Sequence, residues 1–216
     1  MRILMTGGTG VLGRASIPLL LQEGHHVFAP RRTACDLFDP AQVVRAVSSC
    51  DAVMHLATRI PPREQRTAAH AWSENDRLRK VAAGLLVDAA IEAGIQVFVQ
   101  PSVAFLYPKD GPVDESTRVE RAPPHLQSAL EAEAHALRFA VAGRRGVVVR
   151  FGLLYGPTTS ADEPNPLYDA HLRIADAGAA LVAALSAPSG LYNAVRDSGR
   201  VSNARFKQVT DWSPRF

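Results

Sequence analysis

Short apolar runs alternate with longer segments of helical periodicity along the first two thirds of the chain. The apolar runs predict strands at residues 2–5, 26–29, 51–55, 95–99 and 147–150. The segments between them predict a helix that ends near residue 22 and helices over residues 39–47, 72–93 and 126–141. Strands of nearly continuous apolar character that alternate with helices are typical of a parallel sheet covered on both faces. We therefore expect an α/β fold with a doubly wound parallel sheet.

The pattern weakens after residue 157. Residues 158–166 are polar and contain prolines, so they predict a loop. Residues 175–187, 190–194 and 203–210 predict an alanine-rich helix, a short strand and a short helix. We expect one large domain over residues 1–157, with residues 158–216 forming a small, shortened substrate-side appendage packed on it.

A glycine-rich turn separates the first predicted strand from the first predicted helix. Gly7, Gly10 and Gly13 recur at three-residue spacing, which differs from the G-x-G-x-x-G pattern of dinucleotide-binding proteins. A strand, a glycine turn and a helix N-terminus can form a phosphate site, because the backbone can approach a pyrophosphate and free N–H groups point at it. A tight turn that binds nothing is the alternative. Pro18 lies inside the predicted helix, and we expect it to kink the helix or delay its regular part.

Two arginines follow the second predicted strand, where NAD-binding proteins usually carry an acidic residue for the adenosine ribose. Arg31 occupies the equivalent position, and Arg32 stands beside it. An arginine fork can hold a 2′-phosphate in two places, so this pair favours NADP(H), with NAD(H) as the other choice. The alternative is that both arginines lie on a solvated loop.

Composition narrows the class of protein. The 216 residues are 47% hydrophobic with a formal net charge of +3, and no basic run with interleaved aromatic residues indicates nucleic-acid binding. No apolar run is long enough to span a bilayer, and no signal peptide is evident, so we expect a cytoplasmic protein without a membrane partner. Cys35 and Cys50 have no metal-binding or redox spacing, and we expect no metal site.

Several stretches in chain order resemble the extended short-chain dehydrogenase/reductase family, the NAD-dependent epimerases and dehydratases. The turn from Thr6 to Gly13 matches the family's glycine turn. Further stretches are similar to family segments in the same order: Asp36-Leu37, His55-Leu56-Ala57-Thr58, Arg150-Phe151-Gly152-Leu153-Leu154-Tyr155-Gly156-Pro157, Asn203-Ala204-Arg205 and Trp212-Ser213-Pro214-Arg215. The resemblance implies a Rossmann-type fold. It also implies cofactor contacts from Gly7, Thr9, Gly10, Val11, Leu12, Gly13, Asp36, Leu37, Leu56, Ala57, Thr58 and Phe151.

The family's catalytic pair is missing from this chain. In the family a Tyr exchanges a proton, a Lys four residues later lowers the Tyr pKa, and a Ser or Thr orients the substrate oxygen. When Glu133 is aligned with the family's helix glutamate, His125 stands at the Tyr position and Ala129 at the Lys position. An imidazole titrates near neutrality without a lysine, so His125 is a candidate catalytic residue; a solvated helix-terminal histidine is the alternative. Ser102 fits the family's serine, although its distance to Tyr107 leaves the alignment open by one residue, and a hydroxyl that only satisfies the strand end is the other interpretation.

The resemblance leaves three functions open. The first is an NAD(P)-dependent oxidoreductase or epimerase/dehydratase-type enzyme that acts on a small carbonyl or hydroxyl metabolite. The second is a non-catalytic NADP(H)-binding regulator, and the third is a non-redox enzyme, of cyclase or dehydratase type, that reuses the fold. We also expect a homodimer through the two long helices, because family members pair in this way.

Overall fold

The computed structural model describes residues 1–68, 70–141, 143–197 and 199–215. Its strands are β1 (Arg2–Thr6), β2 (His26–Phe28), β3 (Ala52–His55), β4 (Val97–Val103), β5 (Arg145–Phe151), β6 (Leu153–Tyr155), β7 (His171–Arg173) and β8 (Gly190–Ala194). Within the described residues, six of them form one parallel sheet in the order β2-β1-β3-β4-β5-β8. The strands β6 and β7 pair separately, also in parallel. The predicted doubly wound parallel sheet is confirmed.

Helices cover both faces of this sheet. They are α1 (Val11–Gln22), α2 (Pro40–Val47), α3, α4 (Gln127–Arg138), α5 (Ile174–Ala184) and α6 (Ala204–Val209), where α3 is a continuous helix built from Ser73–Arg77, Leu78–Ala82 and Ala83–Glu92. Short 3₁₀ turns lie at Arg63–Gln65, Ala104–Leu106 and Pro124–Leu126. Asp39 begins α2 as predicted, because its side chain accepts hydrogen bonds from the N–H groups of Ala41 and Gln42.

The apolar core consists of two layers, one on each face of the sheet. On one face, Ile3 and Met5 of β1 pack with residues of α5 and with Phe206 of α6. On the other face, Leu4 packs with buried residues of α2, α3 and α4. Successive residues of a strand point to opposite faces, which is why a sheet with two covered faces needs strands of continuous apolar character.

Residues 158–216 contribute to the same core as the rest of the chain. The strand β8 extends the sheet beside β5, and Tyr192 of β8 packs with Phe206 and Trp212. Helix α5 packs closely on α1, because Gly178 allows the two backbones to approach. The short pair of β6 and β7 was not expected, since strands of three residues carry too little periodicity to be recognised.

Two predicted helices differ from expectation in detail. Helix α1 runs from Val11 to Gln22 with Pro18 inside it, so a delay of its regular part is wrong, whereas a kink at Pro18 stays a prediction. In α3 the residues Leu78–Ala82 form a π-turn, in which the N–H of Ala83 bonds to the carbonyl of Leu78, five residues back. None of the helices in the described residues combines the length and the apolar character that a membrane span requires.

Gly178→Ala is expected to destabilise the protein, although an alanine in a helix is usually favoured over glycine by about 1 kcal/mol. The added Cβ would stand 2.6 Å from the carbonyl oxygen of Ala15, so α1 and α5 must separate. We expect a loss of about 1–3 kcal/mol in the free energy of unfolding, measured by urea denaturation.

Gly84→Ala is the matched control in another helix. Its Cβ would meet the ring of His135 at 3.1 Å, and this ring can rotate away. Equal effects of the two substitutions would contradict the close packing of α1 on α5.

Candidate functional site

The glycine turn lies at the carboxyl end of β1, where the connections leave the sheet in opposite directions toward β2 and β3. Ligands of open α/β sheets bind at this kind of crevice. Gly7 has a φ of 72°, and a Cβ there would stand 2.6 Å from the backbone nitrogen of Ala57. A Cβ on Gly13 would stand 2.5 Å from the carbonyl oxygen of Gly8. Both glycines are therefore required by the packing of the turn itself.

Gly10 has a different environment from its two neighbours. Its backbone is extended, and an added Cβ would have only the carbonyl oxygen of Gly7 within 4 Å among the described residues. Helix α1 begins directly after it without a side-chain cap and without an acidic residue in its first turn. The first N–H groups of a helix lack partners within the helix, so this end can hold an anion. The turn fits the pyrophosphate of a dinucleotide.

A chain of hydrogen bonds ties the glycine turn to the segment after β3 and to α3. The Thr6 hydroxyl lies 2.7 Å from His55 Nδ1 and accepts a hydrogen bond from the N–H of Ala57. His55 Nε2 lies 3.1 Å from the carbonyl oxygen of Leu78, the residue that begins the π-turn. Burial lowers the pKa of His55 to about 4, so the imidazole is neutral at pH 7. A neutral ring that donates from Nε2 accepts at Nδ1, and the Thr6 hydroxyl donates to it.

Ser102, Arg150 and Asn193 form a polar row across the carboxyl ends of β4, β5 and β8, where they are register partners. Arg150 donates two hydrogen bonds to the carboxylate of Glu133 in α4, from Nε at 2.8 Å and from Nη2 at 2.7 Å. The hydroxyl of Ser102 donates to the same carboxylate, at Oε1. All four side chains are buried. The guanidinium of Arg150 also lies 4.6 Å from the ring centre of Tyr107.

Tyr107 continues this network toward β8. Its hydroxyl donates to Asn193 Oδ1 at 3.0 Å, and the Asn193 side-chain amide donates to the carbonyl of Ser202. Burial raises the pKa of Tyr107 above its ordinary value, although Arg150 opposes this effect. The phenol therefore keeps its proton and its hydrogen bond to Asn193. A tyrosine that is activated for proton transfer would instead have a lowered pKa.

His125 lies apart from this network, in the 3₁₀ turn that precedes α4. The residue is exposed, and its ring packs on Trp72 with ring centres 5.2 Å apart. Ala129, one turn further into α4, is buried, and the helix carries neither a tyrosine nor a lysine. Arg79 is a buried cation on α3; burial lowers its pKa, while Asp76 and Glu133 oppose that effect.

The remaining predicted cofactor residues lie at the same edge of the sheet. Leu56 and Phe151 are buried, Val11, Leu12, Leu37 and Ala57 are partly buried, and Thr9, Arg31, Arg32, Asp36 and Thr58 are exposed. Arg32 forms an ion pair with Glu74 of α3, and Arg59 lies 3.8 Å from the same carboxylate. Within the described ranges, no three His, Cys, Asp or Glu side chains are grouped so that they could hold a metal ion.

Sequence reasoning did not identify Glu133 and Arg150 as site residues. Glu133 lies on the face of α4 that also buries Ala129 and Ala136, and a carboxylate at such a position needs a buried cation. Arg150 interrupts the apolar run of β5. These two charged residues on apolar faces are the signal that could have predicted their pairing.

Comparisons with known proteins identify the family of this chain. The family model of the NAD dependent epimerase/dehydratase family matches residues 3–194. The chain therefore belongs to that family, and the resemblance drawn from the sequence is confirmed.

The chain is also similar to a curated protein and to solved structures. It is 32% identical over 183 residues to a 3-diazoavenalumate denitrifying reductase of Streptomyces sp, which covers 74% of this chain and 58% of that relative. An Agrobacterium tumefaciens short-chain dehydrogenase/reductase superfamily protein with bound NAD shares 17% identity at a TM-score of 0.82, covering 100% of this chain and 93% of the other. RMD from Pseudomonas aeruginosa, complexed with NADPH, shares 19% identity at a TM-score of 0.81, covering 100% and 95%.

His55 is expected to make stability depend on pH. Its pKa is about 4 in the folded protein and 6.5 in an ordinary environment, so the unfolded chain binds a proton first as the pH falls. The neutral His55 side chain contributes about 3 kcal/mol to the free energy of unfolding. This contribution is fully present above pH 6.5 and is lost as the pH falls toward 4. Urea denaturation at a series of pH values measures it. His55→Gln, which cannot titrate, should show a shallower fall over this range, and identical slopes would contradict the assignment.

Proposed function

We propose that this protein is an NADP(H)-dependent reductase that delivers a hydride without the tyrosine–lysine proton relay of its family. We call the glycine turn and the start of α1 the dinucleotide cradle. The proposal rests on the observation that this cradle is complete, while α4, the helix that would carry the relay, lacks both the tyrosine and the lysine. Gly10 leaves room for a phosphate at the start of α1, whereas α4 presents Ala129 where the lysine would stand. A reduced nicotinamide, when bound, supplies the hydride.

The dinucleotide would lie across the carboxyl ends of β1, β3 and β4. Gly10 and the first turn of α1 would hold the pyrophosphate through backbone N–H groups. Leu56 and Ala57 would support the cofactor from the segment after β3, which Thr6 and His55 fix in place. Phe151 is buried at the end of β5 and would present an apolar surface to the nicotinamide.

Ser102 serves this site as a positioning residue. Its hydroxyl hydrogen is committed to Glu133, so it holds the Glu133–Arg150 pair against the end of β4. His125 and its partner Trp72 lie at the start of α4 and α3, on the side from which a substrate would approach. In this proposal, neither His125 nor Trp72 donates a proton as the family's tyrosine does.

The missing relay favours an acceptor that needs a hydride but no proton. Reduction of a carbonyl group places negative charge on oxygen and needs a proton donor, which the family supplies through its tyrosine. An acceptor that is already cationic becomes neutral when it gains a hydride. The similarity to a denitrifying reductase supports this choice, because that relative is named for a diazo compound.

The cofactor preference can be measured by titration calorimetry. We expect the wild-type protein to bind NADPH at least tenfold more tightly than NADH, because Arg31 and Arg32 would contact the 2′-phosphate. The double variant Arg31→Ala, Arg32→Ala should lose this preference. Arg32 is already paired with Glu74, so the single variant Arg31→Ala should account for most of the loss.

Gly10→Val serves as the control for the phosphate site. Its branched side chain would occupy the space that the turn leaves at the helix start, so binding of both cofactors should be lost while the protein stays folded. Equal affinities for the two cofactors in the wild-type protein, or tighter binding of NADH, would overturn the preference. Unchanged affinity in a folded Gly10→Val variant would overturn the phosphate site.

A further inference from the structure

A surface cavity of about 460 Å³ lies where α3 and α4 begin. Helices that follow parallel strands run back against them, so the N-termini of α3 and α4 lie beside the carboxyl ends of β3 and β4. The cavity is therefore on the same edge of the sheet as the dinucleotide cradle. Its size is that of a small-molecule site. The residues that matter for its chemistry are Arg66, His70, Trp72, Asp76 and His125.

One wall of the cavity is aromatic. The rings of Trp72 and His125 lie 5.2 Å apart at an angle of 39°, so together they form a continuous surface. The indole Nε1 of Trp72 donates to the carbonyl of Arg66 at 3.0 Å, which fixes the orientation of the ring. His70 has a φ of 62°, a strained conformation for a residue other than glycine and one found at binding sites. Such a wall suits a planar aromatic ligand, and an indole also attracts cations.

The cavity carries one carboxylate and one guanidinium. Asp76 lines it, and its Oδ1 is buried without a hydrogen-bond partner among the described residues. Arg66 lines the same cavity and is exposed, with its Nε donating to the carbonyl of Pro61. His70 and His125 are the other titratable groups at the rim, and the buried Arg79 lies behind Asp76 on α3. A ligand with one positive and one negative group would complement Asp76 and Arg66.

We propose that this cavity binds an aromatic acid that carries a cationic ring substituent, with an arenediazonium carboxylate as the reactive member of the class. The cation would face Asp76, the ring would lie on Trp72 and His125, and the carboxylate would face Arg66. This assignment rests on the proposed function and names the substrate class of that same site.

The chemistry of an arenediazonium ion matches a site without a proton relay. A hydride that adds to the terminal nitrogen forms one N–H bond and turns the cation into a neutral aryl diazene. Loss of N₂ then breaks the carbon–nitrogen bond, and the hydrogen passes from nitrogen to the ring carbon. The diazonium ion is reduced by two electrons, the reduced nicotinamide dinucleotide is oxidised, and no further proton is consumed.

A pair of stable, isosteric probes tests the cavity directly. 4-(Trimethylammonio)benzoate and 4-tert-butylbenzoate have the same shape and differ by one positive charge. We expect titration calorimetry on the wild-type protein to show at least tenfold tighter binding of the cationic probe. Quenching of tryptophan fluorescence by this probe should disappear in Trp72→Phe, because the other tryptophan, Trp212, is buried elsewhere.

Asp76→Asn is expected to remove the preference, since it keeps the shape of the side chain and removes its charge. Asp88→Asn makes the same change on the same helix, at an exposed position paired with Arg138, and should keep the preference. Equal binding of both probes by the wild-type protein, binding of neither, or a preference that survives in Asp76→Asn would overturn the proposal. Titration with NADPH in the same samples separates the ligand of the cavity from the proposed function. Normal NADPH binding without discrimination between the probes rejects only the proposed ligand of the cavity. Discrimination between the probes without NADPH binding rejects only the NADPH-dependent function.

Discussion

The buried ion pair between Glu133 and Arg150 is the interaction on which the arrangement of the site depends. It joins the helix α4 to the strand β5, and the same carboxylate accepts the hydroxyl of Ser102 from β4. Through Tyr107 and Asn193 the network extends to β8, one of the two edge strands of the sheet. Removing one member of a buried ion pair typically costs about 3–5 kcal/mol, so this network holds the ends of three strands and the middle of α4 in one geometry.

The same geometry bears on the proposed function, because the glycine turn is complete while helix α4 carries neither the tyrosine nor the lysine of the family. The close approaches at Gly7 and Gly13 belong to the fold, and they persist in the absence of a tyrosine–lysine pair. Ala129 and Glu133 are both buried, so the helix packs on the sheet without a lysine at position 129. The reductase that we propose for a cationic acceptor would need the fold and not the proton transfer of the family.

Much of the fold follows from local sequence signals, whereas much of the site does not. Apolar runs and capping residues act locally, so the sequence could predict the strands at residues 2–6 and 52–55 and the helix cap at Asp39. The π-turn at Leu78–Ala82 could not be predicted from helical periodicity, and neither could the contact between the Leu78 carbonyl and His55, a residue far away in the chain. The partners of Ser102 could not be predicted either, because the hydrogen bond to Glu133 exists only once α4 packs on β4. The cavity beside Trp72 is formed by the start of α3, the loop before it and the 3₁₀ turn before α4, which are far apart in the chain.

We propose that this site transfers a hydride without transferring a proton. The most direct measurement is the rate of NADPH oxidation by the purified protein with 4-carboxybenzenediazonium, compared with 4-carboxybenzaldehyde, between pH 6 and pH 8, after the protein-free rate is subtracted. We expect the diazonium ion to be consumed with release of N₂ at a rate that is flat over this range, and we expect no reduction of the aldehyde. Faster reduction of the aldehyde, with a rate that falls as the pH rises, would show that a proton donor operates in the site and would contradict the proposed function.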